Sequence, residues 1–283
     1  MYYRTMSNKK LFVISVCFNL LIISTIIFLG GGYYYRDRLI KKVYHVFGTN
    51  YYTPNEKVLK TFNNEPLEAV NDSLIVGTND TITILFLGNS LTYTEAPKEE
   101  LDKSKRGLAS TKKENDYVHR LVRRIAETDS ISVKFSIVNI AEFERTFIQH
   151  GFDISKLSNV QFKEPDYLIV QIGENVGSVD IKDNPGKYES ELESLINLFP
   201  NSKKIITLPF WPYKEVNYLT TKVAIKTGTL IVDLSHLGNG NDEMCFASSQ
   251  RKYKTDGVGE HPGDYGMEKI AQSMYAGFNI LHH

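Results

Sequence analysis

The sequence predicts a three-layer α/β domain built on a central parallel sheet. Three observations lead there: short apolar runs recur between residues 79 and 283, helical patterns separate them, and each run stops at turn or polar residues. The runs are TITILFLG (81–88), KFSIVNIA (134–141), DYLIVQIG (166–173), KKIITLPF (203–210) and TLIVDLS (229–235). They are rich in Ile, Val and Leu and do not alternate strictly, which fits strands covered on both faces. Between them, YVHRLVRRIAET (117–128) and KYESELESLINLF (187–199) place apolar residues three and four apart, the spacing of one helix face. GMEKIAQSMYAGFNIL (266–281) predicts a closing helix. In such alternating domains, sites gather beyond the carboxyl ends of the strands.

The N-terminal part has a different character. Residues 11–30, LFVISVCFNLLIISTIIFLG, are uncharged and apolar, long enough as a helix to cross a hydrocarbon core of about 30 Å. Tyr33, Tyr34 and Tyr35, then Arg36, Arg38, Lys41 and Lys42, suit an interfacial belt. A cleaved signal peptide is the rival, but its apolar core is usually about 7–15 residues and no A-x-A-like site follows. The expected organisation is therefore a tail (1–10), a transmembrane anchor (11–32), a juxtamembrane stalk (33–78) and the α/β domain (79–283). Single-pass membrane attachment with the domain on the extracytoplasmic side is expected, although basic residues on both flanks leave the orientation open.

Composition narrows the partners. Thirty-three basic residues balance thirty-three acidic ones, so the chain lacks the basic footprint that binding nucleic acid requires. The two cysteines, Cys17 and Cys245, supply neither a disulfide framework nor a thiolate metal site, and the seven histidines show no metal-ligand spacing. No metal and no cofactor are expected.

Three segments carry chemistry. ILFLGNSLTY (84–93) ends a buried strand at Gly88-Asn89 and presents Ser90 at the following turn, although a turn or N-cap serine would look the same. DGVGEHPGDYGMEKIA (256–271) sets His261 in a Pro/Gly-rich loop before the closing helix, where it is either a general base or part of a turn in which Asp264 caps that helix. LIVQIGENV (168–176) places Asn175 just past a strand, as an oxyanion donor or an ordinary loop residue. A preorganised donor of that kind is worth roughly 3–4 kcal/mol in the transition state.

Taken in order, these motifs resemble the SGNH hydrolase superfamily, also called GDSL esterases and lipases, over roughly residues 80–283. Gly88-Asn89-Ser90 is similar to the family's G-D-S, Gly173-Glu174-Asn175-Val176 to its G-x-N-D, and HPGDYGMEKIA to the pattern that follows the family histidine. The resemblance implies a flavodoxin-like sandwich, a Ser90 nucleophile, a His261 base, and an oxyanion hole of Ser90 N–H, Glu144 N–H and the Asn175 amide. Glu144 is carried over from NIAEFERTF (139–147), where the family has a glycine that tolerates positive φ and glutamate rarely does. The family acid lies three residues before the histidine, where this chain has Val258. Asp256 replaces it if the loop bulges at Gly257 and Gly259; Glu260 would point elsewhere. Otherwise a backbone carbonyl orients the ring, giving a Ser-His dyad.

The resemblance further implies an esterase acting on acyl groups, first an O-acetyl group of envelope or extracellular carbohydrate and second a lipid ester, with acyl transfer as a variant. Phe210, Trp211 and Tyr213 in TLPFWPYKEVNYL (207–219) are candidates to stack on sugar rings, or form a packed aromatic lid. A degenerate domain that binds glycan or assembles a complex without catalysis is the alternative from another class.

Overall fold

The structure is a computed structural model that describes residues 66–76, 80–98, 103–254 and 256–283, with only the backbone at Asp256. The expected tail, the anchor and most of the stalk lie outside the described residues. Among the described residues no helix is long and apolar enough to cross a membrane.

Six strands form one sheet: β1 (Ala69–Leu74), β2 (Thr81–Gly88), β3 (Ser132–Asn139), β4 (Tyr167–Gln171), β5 (Lys203–Leu208) and β6 (Leu230–Asp233). Their order is β1-β3-β2-β4-β5-β6. The five strands from β2 onward are the five predicted runs, pair in parallel, and follow the doubly wound order in which the chain reverses direction between β3 and β4. Two expectations are corrected here. β1 runs antiparallel to β3, so the sheet is mostly rather than wholly parallel, and the strand lies in the segment read as stalk, so the domain begins before residue 79.

Helices cover both faces. In chain order they are α1 (Tyr117–Asp129), α2 (Ala141–Thr146), α3 (Ser178–Asp183), α4 (Pro185–Asn197), α5 (Lys214–Thr227), α6 (Asp256–Gly259) and α7 (Asp264–His282). Strand pleating sends Ile84 and Phe86 of β2 to one face and Leu85 and Leu87 to the other, which is why the run is apolar at every position. The first face packs on Leu121 and Ile125 of α1 and Ile270, Met274 and Phe278 of α7; the second packs on Leu192 and Ile196 of α4 and Val216 and Val223 of α5. Two apolar layers thus hold the strand ends level at one edge.

Closure depends on α7, whose Phe278 is fully buried with its ring 4.8 Å from that of Tyr167 in β4. Phe278→Ala is expected to lower unfolding free energy by about 3–5 kcal/mol, measured by urea denaturation. A loss under about 1 kcal/mol would show that α7 does not seal the first layer.

Candidate active site

Three strand ends bring the site together. Gly88 pairs in register with Asn139 of β3 and with Gln171 of β4, so the chain leaves the sheet beside Ser90, beside Ile140 and beside Gly173 at one edge. Asn139 ties these exits: its Nδ2 donates to the Tyr93 carbonyl at 2.6 Å and its Oδ1 accepts from Ala141 N–H at 2.9 Å. A Cβ on Gly88 would stand 1.9 Å from the Thr92 hydroxyl, so glycine is what lets the turn after β2 fold back. In that turn Asn89 accepts from Thr92 and Tyr93 N–H through its carbonyl and from Leu91 N–H through Oδ1. Ser90 therefore sits at the first position of a capped helical turn, where N–H groups have no partner within the turn.

His261 reaches this edge from the far end of the chain. Its loop is pinned by Ala247 N–H on the His261 carbonyl at 2.8 Å and by Gly263 N–H on the Cys245 carbonyl at 3.0 Å. The carboxylate of Asp264 does not cap its own helix; it accepts from Thr111 N–H, Thr111 Oγ1 and Asn115 Nδ2 and so fastens the loop to the segment before α1. Ser90 Oγ and His261 Nε2 are 3.1 Å apart. The other ring nitrogen, Nδ1, is 2.7 Å from the Gly257 carbonyl. A carbonyl only accepts, so Nδ1 carries the hydrogen, and in the neutral ring Nε2 is left as an acceptor for the Ser90 hydroxyl. Burial favours that neutral form and pushes the imidazole below the usual histidine range, partly offset by the Gly257 carbonyl.

The orienting group at Nδ1 is therefore backbone, as in the dyad expectation. The side chain of Asp256 lies outside the described residues; its main chain opens α6, the turn that delivers Gly257. Val258 is buried with Ala109 and Ala247, and Glu260 is exposed.

Glu144 lies inside α2 on ordinary helical backbone. What it brings is a fully buried carboxylate. Oε1 accepts from Gly173 N–H at 2.5 Å, Asn175 N–H at 3.1 Å and Asn89 Nδ2 at 3.3 Å, while Oε2 accepts from Asn175 Nδ2 at 2.7 Å. Gly173 holds φ at 128°, and a Cβ there would meet Pro209 at 2.4 Å, so only glycine makes this turn. Asn175 is thereby linked to the Ser90 turn through Glu144 and Asn89, and its Oδ1 accepts from Arg145 Nη2 at 3.3 Å.

A second carboxylate completes the arrangement. Glu174 keeps some surface exposed, yet Oε1 accepts from Gln171 Nε2 at 2.8 Å and Phe210 N–H at 2.9 Å, and Oε2 from Asn89 Nδ2 at 2.6 Å. Behind it, Thr92 Oγ1 donates to Gln171 Oε1 at 2.9 Å, which obliges the Tyr117 hydroxyl, 2.8 Å away, to donate to Thr92. Burial, then the neighbouring charge of Glu144, lifts Glu174 to about 7; burial also raises Glu144. Reading the chain alone missed this network, since a glutamate or glutamine at a strand end carries no signal of its partners.

The aromatic run divides. Phe210 is fully buried in the first layer and Tyr213 packs on the second, while half-buried Trp211 sets its ring edge-on to His261, centroids 5.0 Å apart. Of the three, Trp211 is the one at the site.

No protein-family model matches the chain, and no curated relative matches it. Among solved structures, a protein described as a GDSL-like lipase from Parabacteroides merdae aligns at 15% identity and TM-score 0.47, covering 73% of this chain and 100% of that one. A two-domain esterase active on acetylated mannans aligns at 16% and 0.46, covering 71% and 49%, and a Clostridium thermocellum family 3 carbohydrate esterase at 16% and 0.44, covering 72% and 98%.

Because Glu174 holds a proton more readily when folded than at its ordinary 4.5, its contribution to stability is fully present below that value and is lost as pH rises through about 7. Thermal melts should show the parent losing more stability than Glu174→Gln between about pH 5 and about pH 8. Parallel curves for the two proteins would contradict the shifted value, and the His261 contribution, common to both, cancels.

Proposed function

We propose that the chain is a serine esterase working through an acyl-enzyme on Ser90. The observation that carries this reading is the 3.1 Å contact between Ser90 Oγ and an Nε2 whose lone pair is left free by the Gly257 carbonyl on Nδ1. Ser90 gives its proton to Nε2 as Oγ attacks the ester carbonyl carbon. The oxyanion is held by Ser90 N–H and by the Asn175 Nδ2–H that Glu144 leaves over. The imidazolium protonates the departing alcohol; a water, deprotonated in turn by Nε2, then releases the acid.

A half-buried indole beside the base favours a substrate with a sugar-ring face, and an O-acetyl carbohydrate ester is the proposed class. The segment 11–32 is proposed to anchor the domain, so the protein should sediment with membranes and be released when residues 1–32 are deleted.

Ser90→Ala is expected to lower kcat/KM for a short-chain aryl ester by about a thousand-fold or more with an unchanged melting temperature. An unaltered rate would reject Ser90 as the nucleophile. In the parent, the ascending limb of kcat/KM should fall below about pH 6.5, because burial keeps His261 unprotonated to lower pH. A limb above that value would mean that His261 is held as the cation.

A further inference from the structure

Asn89 faces two carboxylates at once. Its Oδ1 is occupied by Leu91 N–H, so both hydrogens of Nδ2 are directed at Glu144 Oε1 and Glu174 Oε2. Where both carboxylates are ionised they only accept, so the two N–H groups of Asn89 fit between them, and a buried acceptor facing an ionised acceptor is strongly unfavourable. The side chain of Asn175 is constrained by the same logic. Glu144 on one side only accepts and Arg145 on the other only donates, which fixes Nδ2 toward the first and Oδ1 toward the second. Glu144 also holds the N–H groups of Gly173 and Asn175, so a single carboxylate sets both the turn and the amide it presents.

We propose that Asn89, Glu144 and Glu174 are the positioning unit of the site: two carboxylates bridged by one amide lock the Ser90 turn to the Asn175 turn and leave one Asn175 N–H directed at the oxyanion. None of the three touches substrate. The proposal rests on the serine-esterase reading and adds to it that the polarity of position 89, rather than its size, governs catalysis. Aspartate at 89 would be nearly isosteric, yet would place a third acceptor against both carboxylates. Glutamine at 174 relieves the shorter of the two conflicts and leaves the one with Glu144: its Oε1 still accepts from Gln171 and Phe210, and its Nε2 donates to an aspartate at 89. The exchange keeps two carboxylates in the unit and inverts one hydrogen bond.

The test is the four-member cycle of the full-length parent, Asn89→Asp, Glu174→Gln and Asn89→Asp/Glu174→Gln, each assayed with a short-chain aryl ester and unfolded in urea. Asn89→Asp should lower kcat about a hundred-fold with KM within a few-fold, since an oxyanion donor acts chiefly in the transition state. The double variant should recover at least about ten-fold of that loss and show a urea midpoint above the value expected from adding the single shifts. A kcat for Asn89→Asp within about two-fold of the parent, or strict additivity in both kcat and urea midpoint, would overturn the proposal. If the parent hydrolyses no ester, the serine-esterase reading fails on that result, and the urea cycle still decides whether Asn89 and Glu174 are coupled.

Discussion

The site depends on the bond from His261 Nδ1 to the Gly257 carbonyl. Because that oxygen can accept and cannot donate, it decides which ring nitrogen carries hydrogen and which faces Ser90. Burial lowers the affinity of this ring for a second proton, and a carbonyl offsets that less than a carboxylate would. The ring is thus neutral, with the Nε2 lone pair open toward Ser90. The turn that supplies the carbonyl is itself held by buried packing around Val258 and by Asp264 on Thr111 and Asn115, so the orientation of one ring draws on contacts spread along the chain.

The remaining chemistry follows from register. Parallel pairing of β2 with β3 and β4 puts three chain exits side by side, and the side chains leaving them are polar where the strands behind them are apolar. Such polar groups are tolerated in a dry place only when all are paired. From Tyr117 through Thr92 and Gln171, and from Asn89 and Asn175, every donor runs toward Glu144 or Glu174. A satisfied network of this kind rigidifies its surroundings. It also gives a part to the glutamate that stands where the resembling pattern has glycine: its carboxylate joins the two turns.

Much of this was legible beforehand. The five parallel strands could be read because each is buried on both faces, which leaves apolar residues at nearly every position. β1 could not, since AVNDSL is an edge strand with polar residues on its open side. The helix α5 was obscured by the aromatic run before it, although Val216, Leu219, Val223 and Ala224 carry the right spacing. Ser90, His261 and Asn175 stood out because each follows a strand or precedes a helix in a glycine-containing segment. Glu144 was read for its backbone, because nothing local distinguishes a carboxylate that faces solvent from one aimed at another loop. The partner of Nδ1 was likewise left between an acid and a carbonyl, since the path of a loop with three glycines is set by what packs around it.

The central claim is that a neutral imidazole makes the Ser90 hydroxyl nucleophilic, and reaction with a fluorophosphonate followed by peptide mass mapping tests it directly. The account predicts one covalent adduct, on Ser90, that forms in the parent and is lost in His261→Ala. No adduct on Ser90, or one that forms equally fast without the His261 ring, would contradict it.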